Sequence, residues 1–222
     1  MLFRSATVSL DIATLNGDIT NFTVVAADNS TIDVTTSNNG SDDIVNITNL
    51  TATASLGSDV AVSLDGNTNF LLNGSEDFAD ILASADDSTL NLTITNASGS
   101  ANNITIDANN NADTTVNVGG TIGLTGTLHV GANDGTATAL FAELTGASGD
   151  IDVNASNDAT VSLDIATLSG DITDFTVAAD NSTIDVTTSN NGSDDIVNIT
   201  NLTATASLGS DVAVSLDGNT NF

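Results

Sequence analysis

Carboxylates and carboxamides are the side chains of this sequence whose type and spacing could do chemistry, and the chemistry they suggest is cation binding. Gly40-Ser-Asp42-Asp43, its later copy ending in Asp194-Asp195, and the pair Asp86-Asp87 each set two acids side by side in a turn-like stretch, and Glu76-Asp77-Phe-Ala-Asp80 sets three within five residues. Hard divalent cations such as Ca²⁺ are held by clustered oxygen ligands of this kind. Asp42, Asp43, Asp86, Asp87, Asp194 and Asp195 are therefore the candidate metal ligands, with Ca²⁺ as the one cofactor to expect. Asp65-Gly-Asn67-Thr-Asn69 alternates oxygen-bearing residues as a calcium loop begins, but lacks the later bidentate Glu. The competing reading of every pair is turn structure, because Asp and Asn bond their own backbone in turns.

Covalent and acid–base catalysis have little to draw on. The chain has no Cys, one His (His129) and a single Lys-or-Arg residue, Arg4. A nucleophile needs a poised base beside it, and one His without a partnered Ser or Cys does not supply that. A carboxylate pair could hydrolyse a glycoside, but only in a cleft with one acid perturbed, which repeated units do not predict. The expectation is a protein that is not an enzyme.

What must position the acids is a repeat. Residues Ala6 to Phe70 return almost letter for letter as Ala159 to Phe222; Asn16/Ser169 and Asn21/Asp174 differ, and one Val of Val24-Val25 is missing from the second copy. Such self-similarity is the mark of a tandem array. The reading is one long repeat over 6–158, of about seven coils, and the start of a truncated second over 159–222. The second copy stops at Phe222 where the first runs on into Leu71, so the chain reads as a window of a longer array. Met1–Ser5 fall outside the duplication, and Leu-Phe-Arg-Ser is what a common sequencing-adapter string encodes; they are set aside as read-through.

A shorter period lies inside the long one. Ile104-Thr-Ile106-Asp-Ala108-Asn-Asn110, Leu128-His-Val130-Gly-Ala132-Asn-Asp134, Ile151-Asp-Val153-Asn-Ala155-Ser-Asn157 and Phe175-Thr-Val177-Ala-Ala179-Asp-Asn181 share one pattern: apolar, x, apolar, x, Ala, x, Asn or Asp. Each is a period-2 strand ending in a turn. A second strand precedes each, as in Leu90/Leu92/Ile94, Thr114/Val116/Val118, Thr138/Leu140/Ala142 and Val161/Leu163/Ile165. The pattern extends to Val24 and Ile47, and less regularly to Leu64 and Leu82. Short strands and tight turns at a spacing of 23 to 24 residues predict an all-β fold, a parallel β-solenoid. Positions 106, 130, 153 and 177 should then lie atop one another, and Asn110, Asp134, Asn157 and Asn181 should line one corner. A tandem array of β-sandwich domains is the alternative, though it leaves the short period unexplained.

The net charge is −28, from 29 acidic residues of which only Glu76 and Glu143 are Glu. On a rod of about nine coils at about 4.8 Å each, the acids come to about one per 1.5 Å of axis, against one per about 1.7 Å on duplex DNA. Self-repulsion on that scale calls for counterions: salt near 1 M shortens the Debye length to about 3 Å, and Ca²⁺ bridges carboxylates. The expected partners are cations and neighbouring repeats of the same chain. Nucleic acid is excluded for want of Lys and Arg. No apolar run reaches the roughly 20 residues of a membrane helix, so membrane insertion is not expected.

The Thr/Asn/Asp/Ala/Val palette, the missing Cys and Lys, and strings such as Thr114-Thr-Val-Asn-Val118 and Asp43-Ile-Val-Asn-Ile-Thr-Asn49 resemble the repeat regions of bacterial surface-layer proteins and giant secreted adhesins. The resemblance implies an extracellular, cell-surface location, calcium-stabilised β-structure, and a role as stalk, spacer or coat. It also leaves open an adhesive module for cell-surface glycans or other cells. It transfers no site residue.

Overall fold

The computed structural model describes residues 6–13, 17–37, 44–70, 79–189, 196–217 and 219–222. Among them are sixteen strands and no helix: β1 (Thr7–Ile12), β2 (Gly17–Ala26), β3 (Thr31–Ser37), β4 (Ile44–Ser55), β5 (Asp59–Phe70), β6 (Ala79–Asp86), β7 (Thr89–Asn109), β8 (Asp113–Leu124), β9 (Thr127–Asn133), β10 (Thr136–Ser156), β11 (Thr160–Ile165), β12 (Leu168–Asp180), β13 (Thr183–Ser189), β14 (Ile196–Ser207), β15 (Asp211–Asp217) and β16 (Asn219–Asn221). Every pairing between them is parallel. This is a β-solenoid, and the sandwich alternative falls, because sandwiches are built from antiparallel sheets.

The predicted stack is present. Ile106 pairs with Val130, Val130 with Val153 and Val153 with Val177. Each points inward and is fully buried. The column continues downward through Ala83 and Ala52 to Val24 and upward to Ala204, so seven steps carry Val24 to Ala204. A second column runs Leu10, Val34, Val62, Leu92, Val116, Ala139, Leu163, Val186 and Val214. Six of its steps take Leu10 to its copy Leu163, so the long repeat holds six coils rather than about seven.

The difference comes from coils longer than 24 residues. Val24 lies under Ala52, not Ile47, and Ile47 lies over Ile19. The additional residues fall between β3 and β4, between β5 and β6, and between β13 and β14. Leu64 lies on the same strand face as the second column, two residues beyond Val62, and stacks between Thr36 and Ile94. Leu82 faces outward beside Ala83, the residue that lies under Ile106. One strand frame is also corrected. Ala137, Ala139 and Phe141 point inward, not Thr138 and Leu140, because Ala139 must sit between Val116 and Leu163.

The corner that follows the Ile106 column explains the alternation of 23 and 24. Asn110-Asn111-Ala112 and Asn157-Asp158-Ala159 take three residues to turn, the first two at positive φ (53° and 61°; 58° and 62°). Asp87-Ser88, Asp134-Gly135 and Asn181-Ser182 take two, with only Asp87, Asp134 and Asn181 at positive φ. Asn and Asp tolerate that left-handed region better than other side chains, which is why they recur at this register. The small last residue of each corner lets the chain turn inward: Ser58, Ser88, Ala112, Ala159 and Ser182 are buried. The Ser hydroxyls accept backbone N–H bonds from the coil below, Ser30 N to Ser58 Oγ and Ser58 N to Ser88 Oγ. The two copies carry an experiment of their own here. The residue missing from the second copy is absorbed at the corner: Asp28-Asn29-Ser30 becomes Asn181-Ser182, while the strands keep their register.

Candidate functional site

Of the six candidate calcium ligands, Asp42, Asp43, Asp194 and Asp195 lie outside the described residues, as do Glu76 and Asp77. Asp86 and Asp87 are exposed at the corner between β6 and β7. Asp86 Oδ1 accepts the Asn110 amide at 2.6 Å. Asp87 holds the left-handed corner position; its N–H donates to the Asn109 carbonyl and its carbonyl accepts from Gly57 N–H. Their backbone and one carboxylate oxygen are thus engaged in holding coils together. Among the described residues no group of three or more His, Asp or Glu side chains gathers around a point where a metal could sit. Asp65–Asn69 is not a loop: it lies within β5, with Asn67 and Asn69 paired to both β4 and β7.

What the structure brings together instead are amide–carboxylate ladders along the rod. Asn103 donates to Asp80, Asn181 to Asp158, Asn198 to Asp171 and Asn201 to Asp174, each from one coil to the next at 2.7–3.1 Å. Asn157 donates to Asn133 in the same manner. Parallel in-register stacking would set like acids about 4.8 Å apart, where their repulsion is costly. An Asn beside an Asp replaces that repulsion with an N–H···O⁻ bond. In a chain with almost no Lys or Arg, Asn does the work of the missing cations. The predicted corner column of Asn110, Asp134, Asn157 and Asn181 is real, but its side-chain bonds run diagonally, from each Asn to the residue beside the one beneath it.

One ionic site is built around the single histidine, His129. His129 is half-buried on the outer face of β9, clipped between the coils on either side. Its Nε2 lies 3.3 Å from Asp107 Oδ1 and its Nδ1 3.1 Å from Asp152 Oδ2. Asp152 is steadied by the Asn154 amide. Gly131 makes the room: a Cβ there would lie 2.7 Å from His129 Nε2 and 3.0 Å from Asp107 Oδ1. Asp152 sits one coil on from His129, so the short period could have found it; Asp107 is offset by one outward position and could not be read that way.

The hydrogen bond to Asp107 raises the His129 pKa above its ordinary 6.5, burial opposes this, and the bond to Asp152 adds to it. The charged imidazole bridges two carboxylates, so its stabilisation is complete below pH 6.5 and is lost as pH climbs through the raised folded-state value. The melting temperature of the native chain relative to His129→Gln should therefore be highest below pH 6.5 and decline as pH rises through the raised folded-state value. A difference that is flat with pH would mean that the ring contributes packing alone.

The geometry is that of an acidic rod, some of whose outward carboxylates are bonded by Asn amides of the next coil. No family model, curated protein or solved structure matches the chain.

Proposed function

We propose that the chain is a structural segment of a large extracellular, cell-surface repeat protein: a stalk, spacer or coat element whose job is reach and rigidity, stabilised by cations including Ca²⁺. The observation that carries this reading is the seam between the two copies. Thr136–Phe141 lies on Thr160–Ile165, and Leu144–Ser156 on Leu168–Asp180, with the same parallel pairing found inside each copy. Ile151, Val153, Phe175 and Val177 are buried through that seam. One repeat therefore continues into the next without a hinge, and each added copy lengthens the same rod. In this reading the chain has no catalytic site, and its partners are neighbouring repeats and cations rather than nucleic acid. The cations act as a counterion layer on the net charge of −28.

The test is a chain extended by one further full repeat. Small-angle scattering should show the rod longer by about 29 Å, six coils at about 4.8 Å each; two bodies joined by a flexible point would overturn the reading. Melting followed by circular dichroism should shift upward on adding Ca²⁺ or molar salt to a chelated, low-salt sample. Indifference to both would remove the counterion role.

A further inference from the structure

On the outer face of β4, β6 and the second half of β7, the fold sets an outward leucine beside a wall of amides and a carboxylate. Leu82 stacks between Thr51 and Thr105. Two residues earlier on the same strands, Asp80 stacks between Asn49 and Asn103. Together they line a groove of about 550 Å³, within the size range of sites that take small ligands. Each of the three strands has a coil on either side, so the groove belongs to the side of the rod. Farther along the same column the place of Leu82 is taken by His129 and Asp152, which bond each other. The apolar floor is therefore local.

The rod's own bonds do not saturate the wall. Asn49 and Asn103 each donate one amide N–H to the coil below, to Asn21 and Asp80, and an amide carries two. Asp80 accepts from the Asn103 backbone and side chain on Oδ1, and a carboxylate offers a second oxygen. The column presents donor, acceptor and donor at successive coils, about 4.8 Å apart, beside the Leu82 floor.

These features select the occupant. The strands are paired on both sides, so there is no edge for a peptide to extend. The net charge of −28 repels phosphates, sulfates and acidic sugars. A hydroxyl both donates and accepts, which matches a wall that alternates the two. A pyranose carries hydroxyls at its rim and C–H groups on its face, and the C–H groups suit Leu82. We propose that the groove is a carbohydrate site whose ligand is a neutral oligosaccharide lying along the rod, its hydroxyls on Asn49, Asp80 and Asn103 and a C–H face on Leu82. The proposal goes beyond the structural reading of the chain and stands or falls separately from it.

The test is a titration of the isotope-labelled full chain with cellotriose, maltotriose and triacetylchitotriose, followed by NMR. At least one of these should shift the Asn49 and Asn103 side-chain amides and the Leu82 methyls together, to saturation, and leave the corner amides of Asn157 and Asn181 in place. Leu82→Ser should weaken binding about tenfold through the lost apolar contact. Asp80→Asn, which keeps the shape and removes the charged acceptor, should weaken it about tenfold as well. Both side chains face outward, so the circular dichroism of each variant should keep its β character, and either variant alone decides the matter. Equal shifts at every exposed Asn, no shift with any of the three sugars, or binding of spermidine in their place would each overturn the proposal and leave the rod reading untouched. Binding at full strength in the two folded variants would overturn it too.

Discussion

Deleting Asn91 should unfold the coils around it, whereas deleting Asn111, the same residue type and equally exposed, should leave the rod standing. Asn91 lies in the strictly alternating run Thr89–Ile94, between Leu90 and Leu92, both buried. Removing one residue from a period-2 strand sends every following side chain to the opposite face. Leu92 and Ile94 would turn to solvent and Thr93 and Thr95 into the core. Two buried aliphatics exchanged in this way cost about 3–6 kcal/mol, before the desolvation of the Thr hydroxyls is counted. The chain cannot escape by shortening the corner, because Asp87-Ser88 is already the two-residue form. Asn111 belongs to the three-residue form. Its loss converts Asn110-Asn111-Ala112 to the geometry of Asp134-Gly135, the change that separates Asp28-Asn29-Ser30 from Asn181-Ser182. The expected cost is that of one backbone bond, Asn111 N–H to the Asp134 carbonyl, about 1 kcal/mol. Denaturant midpoints and amide exchange over 89–118 would check the pair. Equal destabilisation would mean that the corner does not absorb length.

The contrast marks what was legible in the sequence. Ile106, Val130, Val153 and Val177 announce themselves because an inward column in a narrow interior admits only aliphatics, so the period shows in the letters. The corners show for the same reason: left-handed φ selects Asn and Asp. Where the outline loosens, the pattern goes silent. The coils through Val34 and Val62 are longer than 24 residues, which moved Val24's partner from Ile47 to Ala52. At Thr138–Ala142 an Ala-rich run offers two frames of similar hydrophobicity, and only the neighbours Val116 and Leu163 choose between them. Of the candidate metal pairs, Asp86-Asp87 was legible as a corner. The bond that Asn110 donates to Asp86 was not legible, because Asn110 stands a coil away and an amide leaves no charge signal to match.

Gly170→Ala should destabilise the rod far more than Gly209→Ala, although both glycines sit at positive φ, 91° and 81°. The two share the backbone strain of an L-residue in the left-handed region, about 1–2 kcal/mol. They differ in what a methyl group would meet. Gly170 lies directly over Gly146 and under Val197, in the middle of the stack. A Cβ there would be driven into the Gly146 carbonyl oxygen and its carbonyl carbon. That oxygen belongs to the backbone of the next coil and cannot swing aside as a side chain could, so relief requires the coils to part. Forced overpacking adds about 1–3 kcal/mol, for a total of about 2–5 kcal/mol. At Gly209 nothing stands within 4 Å of the added carbon, and only the strain remains. In a chain of this size each kcal/mol moves the melting temperature by about 2–4 °C, so the two variants should melt several degrees apart. Coincident melting curves would show that coils at this bend are not held at backbone contact, and the in-register stack from Gly146 through Gly170 to Val197 would be wrong.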